Sequence, residues 1–227
     1  MRYEKNMIPA IKQFLYRMGY DLVEREVPAG SGIADLVGIK VNKKEFDFRM
    51  QNALLSPKNV LHYKLLYKCN GDWLSLNEIS HIVKENPKNI KKGLKDLNPY
   101  FEIKKNGKIE LYRKKRNFNP IIRKSIAIEA KVKDWKHAII QAKRYISVSN
   151  LVYIAMPESS ESFIEKKRLI EEGLGLIYVT ENNEVYEVLK GKQIGPYNQK
   201  NLEYLGECVW NIYCKNLKKL DKFLTVR

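Results

Sequence analysis

The sequence predicts an α/β protein in which a mixed β-sheet is flanked by helices and a separate α+β segment interrupts the chain. Three observations favour this fold class. An amphipathic helix precedes two alternating strands, a basic segment of different character follows, and helices then alternate with apolar strands. With 227 residues, 44% of them hydrophobic, the chain is long enough for one large domain or two small ones.

The first elements are a helix and a β-hairpin. Apolar residues at helical spacing predict a helix over residues 7–18. Strands are expected over residues 20–27 and 33–41, joined by a glycine-rich turn. In the second strand, Asp35 shares a face with apolar residues, although aspartate is rarely buried unless it is paired. This residue is therefore a candidate for a functional role. The alternative is an edge-strand aspartate that accepts hydrogen bonds from the backbone of residues 30–32.

A second charge anomaly lies on the strand expected from Ser125 to Val132. Its alternation places Glu129 and Lys131 on one face, roughly 7 Å apart at the backbone. Two carboxylates about 4 Å apart repel by roughly 1 kcal/mol in water and about 4 kcal/mol at an effective dielectric of 20. A hard divalent cation such as Mg²⁺ or Mn²⁺ is the natural partner for such a pair.

The chain after this strand alternates helices and strands. Asp134 is suited to cap a helix, and a continuous apolar run after that helix is typical of a central strand. The last helix either packs on its own core or forms a dimer. The expected elements are a helix over residues 134–149, a strand over 151–156, a helix over 159–172, strands over 176–180 and 184–189, and a helix over 199–224.

Residues 43–116 have the character of an inserted module. Three short helices are expected, over residues 60–69, 76–84 and 87–97. They are followed by a hairpin around Asn-Gly at residues 106–107, a strong signal for a tight turn. Three helices and a hairpin in this order resemble a winged helix-turn-helix domain, in which the third helix enters a groove of DNA and the hairpin forms the wing.

Half of the formal net charge of +16 lies in this module, where twelve Lys or Arg face four acids between Lys84 and Arg116. Lysines that contact phosphates make binding depend on salt. Because only Asn86 and Asn89 are suited to bidentate base reading, recognition of backbone or shape is favoured. A solvated lysine face and a protein-binding module are the alternatives. The expected nucleic-acid contacts are Lys88, Lys91, Lys92, Lys95, Lys104, Lys105 and Lys108.

The charged residues of the two strands resemble the PD-(D/E)XK nuclease superfamily. Gly-Ser-Gly-Ile-Ala-Asp at residues 30–35 and Ile-Glu-Ala-Lys at residues 128–131 are similar to motifs of archaeal Holliday-junction resolvases and related restriction endonucleases. Glu-x-Lys occurs three times in this lysine-rich chain, but only this copy lies on an apolar strand preceded by a strand with an aspartate. Ala34 stands where the family name has proline, and the segment between the motif strands is longer than usual.

The resemblance implies a restriction-endonuclease-like core with a winged-helix-like insert. The core would consist of residues 1–42 and 117–227, and residues 43–116 would form the nucleic-acid-binding insert. The implied function is that of a metal-dependent endodeoxyribonuclease, which hydrolyses DNA phosphodiester bonds with Mg²⁺ or Mn²⁺. The insert would position the DNA.

The resemblance also assigns roles to single residues. Two carboxylates and a peptide oxygen would hold the metal, and Lys131 would stabilise charge on the phosphate or orient the attacking water. Glu4 is either a further acid or a surface charge, and Gln141 contacts Lys131 or DNA or is a surface glutamine. The implied metal ligands are Asp35, Glu129 and Ala130, and the implied catalytic residues are Asp35, Glu129, Lys131, Gln141 and Glu4.

A different class of function stays open. In a non-catalytic DNA-binding or regulatory protein with a nuclease scaffold, the same groups would be splayed, held in salt bridges or unable to bind metal. RNA is an alternative substrate, since nothing in the sequence reads a 2′-hydroxyl. Three cysteines without CxxC spacing, with neither a signal peptide nor a run of about 18 apolar residues, predict a cytoplasmic protein without a membrane partner. A homodimer would suit double-strand cleavage.

Overall fold

The computed structural model describes residues 4–53 and 55–225, with side chains as far as residue 219. In these ranges the helices are α1 (Ile8–Arg17), α2 (Lys43–Gln51), α3 (Val60–Lys68), α4 (Leu76–Val83), α5 (Pro87–Asp96), α6 (Trp135–Lys143), α7 (Lys166–Glu171) and α8 (Gln199–Thr225). The strands are β1 (Leu22–Ala29), β2 (Gly32–Val41), β3 (Leu74–Ser75), β4 (Phe101–Asn106), β5 (Ile109–Lys114), β6 (Ile122–Ala130), β7 (Leu151–Pro157), β8 (Gly175–Val179) and β9 (Val185–Leu189).

The chain divides into two compact units. The core unit contains the residues up to Lys43 and those from Pro120 onwards, and the inserted unit is Lys44–Asn119. Residues 1–3 and 226–227 of the expected nuclease-like core lie outside the described part of the chain. In the residues that are described, none of the helices combines the length and the apolar composition needed to cross a membrane.

The core unit is built on a mixed six-stranded sheet in the order β1-β2-β6-β7-β8-β9. Strands β1, β2 and β6 pair antiparallel, β6, β7 and β8 pair parallel, and β9 returns antiparallel. The parallel strands are joined through helical crossovers, as parallel neighbours require. Because β6 is central, its residues 125–130 are buried throughout. The predicted mixed α/β sheet flanked by helices is confirmed.

Helices cover both faces of this sheet. On one face, Ile11 and Leu15 of α1 join Leu36 and Ile128 in one apolar cluster. The alternation of side chains along a strand directs the neighbours of these strand residues to the opposite face. Helix α8 lies along β1 and β6, and its Trp210 is fully buried. The long C-terminal helix therefore packs on its own core.

The strand with the Glu-Ala-Lys motif begins and ends earlier than expected. It was expected over residues 125–132, but it runs from Ile122 to Ala130, so Lys131 follows its last residue. Glu129, one of the charged residues of this strand, is only 2% exposed, so these residues do not form an exposed face. The pairing of β6 with β2 stops near Glu129, and the side chain of Asp35 accepts a hydrogen bond from the backbone N–H of Ala130.

Two expected helices are also shorter. The helix expected over residues 134–149 ends at Lys143, because the next backbone N–H groups bond to carbonyls three residues back and tighten the chain into turns. The helix expected over residues 159–172 is split into a 3₁₀ segment, Glu158–Phe163, and α7. Between them Ile164 is extended and buried, so the packing of this side chain outweighs the helical pattern.

The inserted unit contains α2 to α5 and a three-stranded sheet in the order β3-β5-β4. The three short helices and the hairpin agree with the sequence-based expectation. Helix α3 is capped by Asn59, and Ser75 and Glu78 form a capping box on α4, which explains why these helices begin where they do. The two residues of β3 are too few to show alternation, so no sequence pattern predicts this strand.

Helix α2 was not expected because the side chains that it buries are charged. Glu45 and Arg49 are both fully buried, and the Nε of Arg49 donates to Glu45 at 3.0 Å. The same carboxylate accepts hydrogen bonds from Arg116 and from the hydroxyl of Tyr100. An apolar stripe, the usual sign of a packed helix, is therefore replaced by a buried polar network within the inserted unit.

Candidate active site

Asp35 and Glu129 meet on adjacent antiparallel strands. Leu36 of β2 pairs with Ile128 of β6, so one step further along the same register places Asp35 opposite Glu129, with both side chains on one face of the sheet. Asp35 Oδ2 accepts a hydrogen bond from the Ala130 backbone N–H at 2.8 Å. The structure thus brings together the two carboxyl groups that the sequence singled out.

Burial perturbs both of these carboxyl groups. Burial is the main cause of the raised pKa of Glu129, and the negative charge of Asp35 raises this pKa further. The hydrogen bonds from Tyr145 and Lys131 lower it, but by less. Burial also raises the pKa of Asp35, although the N–H of Ala130 opposes the effect. Ionising both groups is therefore costly unless positive charge is close.

Lys131 supplies positive charge at this point. Its Nζ lies 3.0 Å from Glu129 Oε1 and 3.4 Å from Glu4 Oε2. Burial lowers the pKa of Lys131, but the hydrogen bond and charge of Glu129 outweigh this effect and the pKa is raised on balance. The lysine is therefore held as a cation. Glu4 belongs to a short 3₁₀ turn before α1, so the site joins three distant segments of the chain.

Tyr145 is part of the site, although the sequence analysis did not select it. Its hydroxyl oxygen lies 2.6 Å from Glu129 Oε2 and 2.8 Å from the carbonyl oxygen of Ile33. Burial and the charge of Glu129 raise the pKa of Tyr145, so the phenol keeps its proton as a hydrogen-bond donor. A signal was available, because a buried tyrosine hydroxyl needs a partner and Tyr145 lies four residues after Gln141.

Gln141 carries a polar atom that is buried and unpaired. Its Oε1 finds no hydrogen-bond donor among the described residues. Leaving a buried acceptor unsatisfied costs about 1–3 kcal/mol. The interpretation as a surface glutamine therefore does not hold for this atom, which would gain from a donor such as a bound water. No short contact joins Gln141 to Lys131 among the hydrogen bonds of the described side chains.

The turn between β1 and β2 packs closely against the end of α6. Gly30 has a φ of +61°, and a Cβ at this residue would lie 2.1 Å from the carbonyl oxygen of Arg144. A Cβ at Gly32 would lie 3.3 Å from Arg144 Cδ and from Tyr145 Cε1. Gly30 is needed for this approach, whereas a side chain at Gly32 would require its neighbours to shift by a few tenths of an ångström.

Oxygen atoms dominate the candidate site, as a Mg²⁺ or Mn²⁺ ion requires. The carboxylates of Asp35 and Glu129 and the expected peptide oxygen of Ala130 are all hard donors that fit these ions. No group of three or more His, Cys, Asp or Glu is placed to hold a metal in the described part of the chain. The protein would therefore leave much of the coordination shell to water and phosphate, as is usual for Mg²⁺.

The lysines of the inserted unit that were expected to contact nucleic acid are all exposed. Asn86 caps α5 and Asn89 donates to Glu85, so both asparagines are used locally rather than held ready for bidentate base reading. One lysine of the set, Lys91, pairs with Glu110 at 2.8 Å. The exposed lysines expected to contact nucleic acid are Lys88, Lys91, Lys92 and Lys95 around α5, and Lys104, Lys105 and Lys108 on the hairpin of β4 and β5.

The chain was compared with protein families, curated proteins and solved structures. No protein-family model, no curated protein and no solved structure gave a significant match to the chain.

Proposed function

We propose that the chain is a metal-dependent endodeoxyribonuclease of the PD-(D/E)XK type, with a restriction-endonuclease-like core and a winged-helix-like insert that binds DNA. The observation that carries the proposal is the meeting of Asp35, Glu129 and Lys131 where β2 and β6 cease to pair. A buried carboxylate, a half-buried one and a paired lysine suit phosphodiester hydrolysis better than they suit packing, because removing these charges from water is costly.

The residues of the site would have different roles in the reaction. Asp35 and Glu129, with the peptide oxygen of Ala130, would hold Mg²⁺ or Mn²⁺. When bound, such an ion lowers the pKa of a water and withdraws charge from the phosphoryl oxygens. Lys131 stabilises negative charge on the phosphate or orients the attacking water, and Glu4 holds its ammonium group in place.

Two further residues would position this set. Tyr145 engages Glu129 Oε2 and leaves Oε1 directed towards Lys131, so that the carboxylate has one orientation. Gln141 offers its buried, unpaired oxygen to a water or to the substrate. Tyr145 is a positioning residue, because it contacts the Glu129 side chain and the Ile33 carbonyl rather than reacting atoms, whereas Gln141 would act through the group that its oxygen accepts from.

The inserted unit would supply most of the affinity for DNA. The seven lysines expected to contact nucleic acid are exposed and can reach phosphates, whereas Asn86 and Asn89 are engaged in local hydrogen bonds. Binding is then expected to depend strongly on salt and little on base sequence. This combination is suited to an enzyme that recognises the shape of its substrate.

One observation favours a second candidate, a DNA-binding or regulatory protein that uses the nuclease fold as a scaffold. Both oxygens of Glu129 already have partners, Lys131 at 3.0 Å and Tyr145 at 2.6 Å. A lysine in this place neutralises the carboxylate in the absence of metal. In the scaffold protein this ion pair would persist, and neither divalent ions nor DNA would displace it.

Cleavage assays on plasmid, linear, branched and single-stranded DNA, and on RNA, with Mg²⁺ or Mn²⁺ distinguish the candidates. The variants are Glu129→Ala and Lys131→Ala, and the matched controls are Glu165→Ala and Lys167→Ala, which alter another Glu-x-Lys sequence at the start of α7. Mn²⁺ binding, followed by electron paramagnetic resonance, gives a readout besides cleavage.

We expect the native protein and both controls to bind Mn²⁺ and cut DNA. Neither variant at the site should cut, and Glu129→Ala should also lose Mn²⁺ binding. If every protein binds DNA but none cuts it or binds Mn²⁺, the scaffold interpretation replaces the nuclease.

A further inference from the structure

A large apolar side chain lies beside the candidate site without cover from the core unit. Ile33 belongs to β2 but is 63% exposed. It precedes Asp35 by two residues, so the two side chains leave the same face of the strand, roughly 7 Å apart at the backbone. An isoleucine in this position is exposed to whatever occupies the site.

We propose that Ile33 is a wedge that enters the base stack of duplex DNA next to the phosphate bound at Asp35 and Glu129. The inference rests on the proposed nuclease function and names the property by which the site selects its substrate. Proteins commonly insert isoleucine, leucine or phenylalanine between base steps, and the insertion costs a few kcal/mol of stacking per step. Sites that are already unstacked, such as mismatches and junctions, avoid this cost and would be preferred.

The spacing is right for such a contact. Successive base pairs are about 3.4 Å apart along duplex DNA. The backbone positions of Ile33 and Asp35 are roughly 7 Å apart, a separation that corresponds to about two base steps along the duplex. Ile33 would meet the bases beside the bond that is cut rather than a remote part of the duplex.

The backbone of Ile33 is held firmly, as a wedge requires. Its carbonyl oxygen accepts a hydrogen bond from Tyr145 at 2.8 Å. The preceding turn is fixed by the close approach of Gly30 to Arg144. A side chain on a rigid strand can separate neighbouring bases when DNA binds, whereas a side chain on a mobile loop would move aside.

Positive charge around Ile33 identifies the occupant as a nucleic acid. Arg144 is exposed and its Cδ packs against the turn at Gly32. Arg25 is also exposed, and its charge reaches Asp35, where it lowers the pKa against the larger effect of burial. An apolar side chain next to the exposed Arg144 suits bases flanked by phosphates, whereas an apolar protein partner would leave this cation desolvated.

Fluorescence of 2-aminopurine tests this inference directly. The probe is a DNA duplex with 2-aminopurine at the cleavage site, bound in Ca²⁺ to give a complex for fluorescence, and the base becomes brighter when it is unstacked. The variants are Ile33→Ser and Ile33→Leu, and the control is Ile170→Ser, which changes an isoleucine that is 45% exposed on α7. Cleavage in Mg²⁺ of an intact duplex and of a duplex with one mismatch is measured in parallel.

We expect the native protein, Ile33→Leu and Ile170→Ser to raise the fluorescence, and Ile33→Ser to leave it low. Ile33→Ser should also reduce the preference for mismatched over intact DNA, measured as a ratio of kcat/KM, by roughly tenfold, because nothing is inserted and intact DNA no longer bears the cost of unstacking. Equal fluorescence for the native protein and Ile33→Ser would overturn the wedge. If the native protein brightens the probe but cuts no DNA, the proposed nuclease function is wrong and the wedge stands. If it cuts DNA without brightening the probe, the wedge is wrong and the nuclease function stands.

Discussion

Asp35 Oδ2 accepts a hydrogen bond from the backbone N–H of Ala130 at 2.8 Å, across 95 positions of sequence. This N–H lies where the β2 and β6 strands cease to pair, so the carboxylate takes the place of a strand partner. The contact gives Asp35 a structural role in addition to its proposed role as a metal ligand. The two roles are separable by substitution.

Asp35→Asn and Asp35→Ala should therefore differ in stability but not in activity. The asparagine keeps an oxygen that accepts from Ala130, so the free energy of unfolding should stay within about 0.5 kcal/mol of the native value. The alanine leaves the buried N–H unpaired and should cost about 1–3 kcal/mol. Both should cut DNA at least about 100-fold more slowly. Urea unfolding and plasmid nicking measure the two effects, and equal stability of the two variants would contradict the structural role.

Tyr145→Phe should lower both stability and activity. The change removes the hydroxyl shared by Glu129 and the Ile33 carbonyl, so we expect a loss of about 1–2 kcal/mol in the free energy of unfolding. Cleavage should fall about tenfold because Glu129 loses its fixed orientation. Tyr186→Phe is the control, since its hydroxyl bonds the exposed Glu158. Similar losses in both variants would show that the position of Tyr145 is not special.

Glu129→Gln should make the metal-free protein more stable at neutral pH. Burial raises the folded-state pKa of Glu129 above its ordinary value of 4.5, so its contribution to stability is full below that value and is lost as the pH rises through the folded pKa. Glutamine does not titrate and avoids this loss. The gain in Tm over the native protein should therefore be present at pH about 7 and shrink on acidification towards the ordinary pKa.

Thermal melts in a chelator across this pH range test the expectation. Glu165→Gln, which changes an exposed glutamate at the start of α7, should show no such trend. A gain for Glu129→Gln that grew on acidification would contradict the sign of the pKa shift.

Gly30→Ala and Gly107→Ala form a matched pair. Both glycines have nearly the same φ, +61° and +60°, so an alanine pays the same strain of about 1–2 kcal/mol at either position. At Gly107 nothing lies within 4 Å of the new Cβ, whereas at Gly30 it would meet the carbonyl oxygen of Arg144 at 2.1 Å. We expect Gly30→Ala to be the more destabilising by at least about 2 kcal/mol in urea unfolding. Equal effects would rule out the close packing of the turn.

Substitution of Lys92 by Gln should reduce the salt dependence of DNA binding. Each lost phosphate contact lowers the slope of log K against log salt by about 0.9. Lys143→Gln in the core unit, where Lys143 pairs with Glu172, is the control. Fluorescence anisotropy between about 50 and 200 mM salt gives the slopes. An unchanged slope for Lys92→Gln would remove this lysine from the DNA contacts.

Asp35 and Glu129 could both be singled out in the sequence, because Asp35 shares a strand face with apolar residues and Glu129 shares one with Lys131. A charged residue in such a pattern is costly, and this cost is visible without a structure. The order of helices and strands was equally accessible, because apolar periodicity and glycine positions mark it. The charged groups were thus predictable as a pair, although not their burial.

Tyr145 and α2 were missed for related reasons. Tyr145 lies in the turns that follow the end of α6, and the hydrogen bonds of those turns cannot be recognised from the pattern of apolar residues. In α2 the buried residues are Glu45 and Arg49, which a hydrophobic pattern counts as exposed. In both cases tertiary hydrogen bonds decide the structure, and local sequence carries little record of them.

The chain enters and leaves the inserted unit at neighbouring points, where the N–H of Asn42 donates to the carbonyl of Ile121 at 2.8 Å. Closing a flexible loop of this length costs chain entropy, but a segment that folds by itself with its ends together removes most of that cost in advance. Early folding of Lys44–Asn119 would therefore speed the pairing of β2 with β6. A chain with this segment replaced by Gly-Ser repeats of equal length should refold more slowly in stopped-flow experiments, and an equal rate would show that the insertion is kinetically neutral.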